Sequence, residues 1–456
     1  MSAFSMLVKN IIDTSYDTLP TDVVEATKKQ ILDTLAATVA GSMAEDVRVV
    51  VDLVKEWGGK EESTIIGYGG RVPSPSAALA NGTLAAVLDY DDVHDTDYGH
   101  ISRAIIPAAL AMAEHKGALA GKELIVAVAL GFDLTCRISR ASKLQFEIPF
   151  CFCIPNFFGA AATASKILNL SEEKLINALG IALHQINTAG WNVYAGPSTK
   201  GTDGGFAAEA GVRSALMAER GMNPRISDPL EGKRGFYNTF RLGIYTPHTL
   251  TVDLGKAFAG ATNSQKPYPC CRNLHSSVDA TLAVVNEYDI KPDDIAEVTA
   301  HFGAQDYSMF EGMELEYPVL PVQAQFSLRW VIASAILHRK VKVETQTGEA
   351  LRNMQTLEMA RRIVGKLNIE FNSNQIVEPV IIEIKTKGGQ VYSKRVDIAY
   401  GSPKNPMSFE DVIRKFKECC RYSVKPLSQE SLDKVVQMVK HLEDVTDVNQ
   451  IIRLLS

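Results

Sequence analysis

Several familiar signatures are missing from this 456-residue chain, and each absence removes a class of function. No apolar run approaches the roughly 18 residues that a membrane-spanning helix needs. No block of Lys and Arg resembles an arm that grips a phosphate backbone. The 47 basic side chains stand against 53 acidic ones, a net charge of −6. Neither a membrane nor a nucleic acid is therefore an expected partner. The chain does not open on a basic segment followed by an apolar one, so the expected location is the cytoplasm. Cysteine is sparse: Cys136, Cys151, Cys153, Cys270, Cys271, Cys419 and Cys420, with no C-x-x-C spacing. An odd count in that pattern reads as free, mostly buried thiols rather than a disulfide or zinc framework. The P-loop pattern, the dinucleotide G-x-G-x-x-G and the G-x-S-x-G elbow are all absent, which disfavours nucleotide, redox and serine-hydrolase readings.

What is present is ordinary in amount, with 46% hydrophobic and 22% charged residues, and points to a soluble chain large enough for two to three domains. The first 260 residues read mainly as helices. Asp22 with Glu25 resembles a capping box, followed by an apolar face of Val24, Ile31, Leu35 and Val39. Further helical runs cover 122–140, 160–168, 172–184 and 206–219. After Pro267 the pattern changes. Residues 295–302 are strand-like, 324–337 read as a buried helix, and 380–386 with 390–398 read as a hairpin around Lys-Gly-Gly. Helical signals return at Ser408, then over 427–442 and 448–455. The expected fold class is mainly α: a large all-helical domain, 1–262 plus 402–456, with a smaller α+β lid domain, 263–401, inserted.

Chemistry concentrates in three loops. Leu88 to His100 carries five aspartates and two histidines in thirteen residues, between apolar runs. Such a density is costly to bury unless it does chemistry, binds an ion or stays solvated. As an acid/base site, His100 or His94 would be oriented by a neighbouring carboxylate, with Asp89 at the helix end. As a metal site, Asp91, Asp92, His94, Asp95 and His100 supply ligands, but the spacing matches no compact metal motif. The second loop, Tyr194 to Gly205, is glycine-rich and runs into a helix starting near Phe206, so Lys200 and backbone N–H groups could hold an anion. The third, Lys266-Pro-Tyr-Pro-Cys-Cys-Arg-Asn-Leu-His275, is stiffened by proline and carries Lys266, Tyr268, Arg272 and His275, groups suited to carboxylates. The plain alternatives are a solvated acidic loop, a flexible connection and a rigid turn. Taken together, the three loops form a kit for removing a proton next to a carboxylate, where cations stabilise the enolate.

In this order the three loops, together with Ser198-Thr199-Lys200, Gly232-Lys-Arg-Gly-Phe236, Lys266-Pro-Tyr-Pro269 and Ala324-Gln-Phe-Ser327, resemble the MmgE/PrpD family. That family includes 2-methylcitrate dehydratases, cis-aconitate decarboxylases and iminodisuccinate epimerases. The resemblance runs over nearly the whole chain. It implies a helical domain plus an α+β lid, a homodimer, and an active site between the domains that uses no metal or organic cofactor. It implies catalytic roles for Asp89, His100, Lys200 and Lys266. His94, Tyr268, Arg272 and His275 are the candidate substrate-binding residues, and no metal ligands are assigned. The departures are His100-Ile-Ser-Arg103 in place of His-Pro-Ser or His-Pro-Gly, and an acidic loop one residue longer than in the decarboxylases. Cys153 and Cys271 stand where decarboxylases carry histidines, which counts against that branch. The Cys-Cys-Arg-x-x-His form is closer to the epimerases.

The expected activity is α-proton abstraction from a small di- or tricarboxylate, first as a 2-methylcitrate dehydratase-like lyase. The alternatives are an epimerase or a cis-aconitate decarboxylase-like lyase. Rivals of other classes are a metal-dependent hydrolase using the Asp/His loop and a non-catalytic carboxylate-binding protein.

Overall fold

The computed structural model describes residues 2–96, 99–142, 153–186, 198–312, 318–371, 377 and 379–456. Ten described helices fill the first 240 residues: α1 (Ala3–Asp13), α2 (Thr21–Gly41), α3 (Glu45–Trp57), α4 (Ser74–Ala86), α5 (Ser102–Lys116), α6 (Gly121–Ala141), α7 (Pro155–Ile167), α8 (Glu172–Gln185), α9 (Thr202–Glu219) and α10 (Phe236–Phe240). A two-residue hairpin, β1 (Ser63–Thr64) with β2 (Arg71–Val72), interrupts them, so this part is not wholly helical. Helix α2 starts at Thr21 without the expected side-chain cap, because Pro20 holds the cap position and Asp22 lies in the first turn. It is buried continuously from Gln30 to Gly41, which explains why its apolar face is broader than one stripe.

Small residues set how closely these helices approach. A Cβ added at Gly82 of α4 would lie 2.7 Å from the backbone of Gly204 and Gly205 in α9. The two helices therefore cross with main chains in contact. Gly204 and Gly205 were read as part of a loop ahead of a helix at Phe206. They belong instead to the first turn of α9, where they serve packing. Gly131 of α6 and Gly159 of α7 form a similar crossing, facing Thr163 and Thr135.

Beyond residue 262 lie α11 (His275–Glu287), β3 (Ile295–Phe302), α12 (Ala304–Gly312), α13 (Pro321–Phe326), α14 (Leu328–His338), α15 (Met354–Ala360), β4 (Ile363–Leu367), β5 (Val380–Thr386) and β6 (Val391–Val396). The four strands form one sheet in the order β4-β3-β5-β6, with β3 and β4 parallel and the other pairs antiparallel. Ala300 pairs with Gly365 on one side and Ile382 on the other. In β5 the alternation Val380, Ile382, Ile384 faces inward, the pattern of a sheet covered on one face. Helices α11 and α14 share that core. The single helix expected over 324–337 is broken at Ser327, whose extended backbone lets its hydroxyl accept from Trp330 N and start α14.

The chain ends in α16 (Phe409–Cys419), α17 (Gln429–Lys440) and α18 (Asn449–Leu454). Ser408 caps α16 and Ser428 caps α17. Val412, Phe416, Val435 and Val439 join the core built by Leu32 and Leu35 of α2. Among the described residues no helix is long and apolar enough to cross a membrane.

Candidate active site

The close crossing of α4 and α9 brings the end of one helix to the start of the other. Asp89 follows α4 with φ of 50°, a left-handed conformation that a non-glycine residue holds only when its surroundings enforce it. Lys200 lies in the short turn Ser198–Gly201 that leads into α9. Its ammonium pairs with one oxygen of Asp89, and Lys266 pairs with the other at 2.7 Å. Lys266 also donates to the Asp89 carbonyl at 2.8 Å. All three side chains are buried. Burial pushes the Asp89 carboxyl up, but Lys200 and Lys266 outweigh it and hold the pKa well below the usual carboxylate range.

Two residues on, Asp91 meets His100, with Nδ1 2.8 Å from Oδ2. Burial works against the Asp91 charge, yet His100 and Arg103 bring its pKa down to about 2. A carboxylate there fixes the proton on Nδ1 and turns Nε2 into the basic nitrogen. Burial lowers the His100 pKa to about 4, Asp91 opposes that, and Arg103 and Lys266 reinforce it. The imidazole is thus neutral at physiological pH. About 19% of its side chain remains accessible. Asn156 of α7 donates to the His100 carbonyl at 2.6 Å. Asp92 turns the other way: its carboxylate accepts from the Ser102 backbone N–H at the start of α5, and burial raises its pKa to about 6.

Arg103, three residues after His100 and on the first turn of α5, was not among the predicted site residues. It lies 3.7 Å from Asp91 and 3.6 Å from Asp203, and donates to Cys153 Sγ at 2.8 Å. The spacing from His100 was the only sequence signal for it. Gly204 makes its slot, since a Cβ there would lie 2.9 Å from Arg103 Cγ.

The four candidate substrate-binding residues are all engaged with protein groups. Arg140 reaches His94 Nε2 at 2.7 Å, and Thr96 lies 3.0 Å from Nδ1. Arg272 donates to Asp95 at 3.2 Å, to the Tyr400 carbonyl at 3.0 Å and to Ser402. It also approaches His275 Nδ1 at 3.3 Å. His275 is buried, and burial with Arg272 beside it holds its pKa well below the usual value. Tyr268 donates to Asp279 at 2.7 Å, and its ring lies 5.3 Å from that of His275. Arg272 thus ties the acidic loop to the chain where it leaves the sheet. Reciprocal backbone bonds between Val93 and Ser264, 3.0 and 2.8 Å, hold the loop to the segment that carries Lys266. Of the glycine-rich loop, residues 194–197 lie outside the described residues, as does Cys151.

Asp89, Asp91 and His100 offer ligand atoms within 4.8 Å of one another. The chemistry of the surroundings does not suit a divalent ion. Both Asp89 oxygens already face lysine ammoniums, and Asp91 faces Arg103, so an added cation would meet three fixed positive charges at short range. The described cysteines are buried free thiols. Burial pushes Cys271 up to about 12, which leaves it protonated and inert.

Comparison with known proteins matches residues 6–244 to the MmgE/PrpD N-terminal domain and residues 268–441 to the MmgE/PrpD C-terminal domain. Among curated proteins, the chain is 27% identical to a cis-aconitate decarboxylase of Homo sapiens, over 95% of this chain and 90% of that protein. It is 26% identical to the Mus musculus protein of the same description, over 95% and 89%. The cis-aconitate decarboxylase of Aspergillus terreus is 23% identical, over 96% and 93%.

Proposed function

The chain belongs to the MmgE/PrpD family and is a lyase of that type; from this premise we propose that it removes a proton next to a carboxylate of a small di- or tricarboxylate, with His100 as the base. The observation that carries the proposal is the neutral imidazole of His100, oriented by ionised Asp91 and set beside the Asp89–Lys200–Lys266 cluster. In this reading His100 Nε2 takes the α-proton, and the C–H electron pair stays on the substrate as an enolate. Asp91 stabilises the imidazolium that forms, and Lys200 and Lys266 face the growing negative charge. Asp89 holds the two ammoniums together, since two bare lysines would repel each other. The enolate then expels the β-hydroxyl, the imidazolium of His100 returns its proton to it, and water leaves, completing a 2-methylcitrate dehydratase-like reaction in a cytoplasmic homodimer.

Decarboxylation of cis-aconitate is the second reading, favoured by relatives that match 95% of the chain. It needs a proton delivered to carbon after CO₂ leaves, and His100, oriented by Asp91, is the group placed to carry it. Cys153 and Cys271, which the family resemblance sets where decarboxylases carry histidines, keep dehydration first. The deciding experiment incubates the protein with 2-methylcitrate, citrate, cis-aconitate and iminodisuccinate in D₂O and follows each by proton NMR. An alkene product from 2-methylcitrate is expected. CO₂ loss from cis-aconitate alone would establish the second reading, and deuterium uptake without a new compound would identify an epimerase. No turnover, with tight carboxylate binding, would leave a binding protein. Activity lost with EDTA and restored by a divalent metal would replace this chemistry with metal-dependent hydrolysis.

A further inference from the structure

Tyr90 stands between the two aspartates of the site, and none of the chemistry above uses it. It is buried, and so are Lys415, which reaches it from α16, and Asp33, the partner of Lys415. Lys415 of α16 donates to the Tyr90 carbonyl at 2.8 Å, and its ammonium lies 4.0 Å from the centre of the Tyr90 ring. The same ammonium bonds Asp33 of α2 at 2.7 Å. On its other side, the Tyr90 hydroxyl donates to the Pro267 carbonyl at 3.1 Å.

These bonds close a ring around the site. The Asp89 carbonyl accepts from Lys266 and the next carbonyl, that of Tyr90, accepts from Lys415. Two successive peptides, following a residue with left-handed φ, are thus held by two lysines far away in sequence. The Tyr90 hydroxyl then holds the peptide after Pro267. Without such restraints a left-handed aspartate would relax toward a commoner conformation and turn its carboxylate away from the lysines.

We infer that Lys415 and Tyr90 are positioning residues of the candidate site: Lys415, paired with Asp33, fixes the Tyr90 carbonyl, and Tyr90 holds the Lys266–Pro267 turn against Asp89. The inference rests on the reading of Asp89, His100 and Lys266 as the reacting cluster. It assigns helix α16, distant in sequence from the site, a part in catalysis through Tyr90 rather than by contact with the reacting groups. A buried ion pair that served only the fold would affect melting and nothing else.

Two variants test this. Tyr90→Phe removes only the hydroxyl bond to Pro267. The double variant Lys415→Met/Asp33→Asn removes both charges, so neither is left buried alone. The first readout is independent of turnover: the titration of His100 by ¹⁵N-histidine NMR, assigned with His100→Ala. In the native protein Asp89, Asp91, Arg103 and Lys266 act on His100, and its midpoint is expected at about 4. In the double variant water enters as the ring loosens, and the midpoint is expected to rise by about one unit or more toward 6.5. The second readout is kinetic, on whichever carboxylate of the panel turns over. For Tyr90→Phe, kcat is expected to fall on the order of tenfold with KM within about twofold, because the lysine is misplaced rather than lost. Both variants keeping the native titration and kcat, and losing only thermal stability, would overturn the inference. Native turnover in His100→Ala would instead overturn the function proposed above, and the titration alone would then decide whether Lys415 and Tyr90 position this cluster.

Discussion

In the chemistry proposed here, His100 is the residue whose protonation state sets the working pH range. Burial lowers its pKa to about 4, Asp91 opposes this, and Arg103 and Lys266 add to it. The base form therefore persists to well below the usual histidine range. The acid limb of kcat/KM is expected at about pH 4, and a limb near 6.5 would place the base elsewhere. The linkage to stability has a definite sign. A histidine whose folded pKa lies below its unfolded value binds fewer protons when folded, so its contribution is intact above about pH 6.5 and is lost as the pH falls toward 4. Replacing His100 with Ala should abolish turnover and leave the circular dichroism spectrum unchanged. Lys266 is different, because it shares Asp89 with Lys200. Lys266→Met leaves Asp89 paired with Lys200 alone and removes the bond to its carbonyl, which should lower the melting temperature along with a loss in kcat on the order of 10²-fold. Adding Asp89→Asn leaves the Lys200 ammonium buried without its carboxylate and should lower stability further. A native kcat in Lys266→Met would make the lysine structural only.

At the scale of elements, the contact of α4 with α9 places Asp89 opposite Lys200. The contact depends on Gly82, Gly204 and Gly205, where a Cβ would lie 2.4 to 2.9 Å from neighbouring atoms. Gly82→Ala is expected to destabilise the protein by about 1–3 kcal/mol, because backbone rather than a flexible side chain must give way. It should also lower kcat by shifting Lys200 relative to Asp89. Urea melts together with steady-state kinetics check both, and an unchanged kcat at reduced stability would show that the crossing serves the fold alone. The helix cap at Ser408 and the β5–β6 hairpin could be read directly from residue patterns, since caps and turns depend on neighbours within a few positions. The break at Ser327 and the true start of α9 could not. There, short-range signals were overridden by what the helix ends and glycines pack against.

For the whole molecule, the two cores motivate a proposal about division. One contains α2 with α16 and α17, and the other contains the sheet with α11 and α14. We propose that residues 1–262 with 402–456 unfold as one unit and residues 263–401 as another. Native-state hydrogen exchange with increasing urea should then show α16 and α17 losing protection together with α2 and at a different free energy from β3 and β5. Joint opening of α16 with the sheet would refute this division.

Residue identity and spacing by themselves determined that the chain is mainly helical, roughly where several of its helices and the β5–β6 hairpin lie, and that Asp89, His100, Lys200 and Lys266 deserve scrutiny. These are properties of local pattern and of unusual ionisable groups set among apolar runs. Which aspartate does what was left to the tertiary structure. Asp89, Asp91 and Asp92 are near neighbours in one loop, yet one bridges two lysines, one orients an imidazole and the third meets the start of a helix. The directions of their side chains follow from the left-handed turn at Asp89 and from partners that are distant in sequence. The same holds for Tyr90 and Lys415, whose immediate sequence does not mark them, and largely for Arg103, marked only by its spacing from His100: their place at the site comes from helices packed against one another.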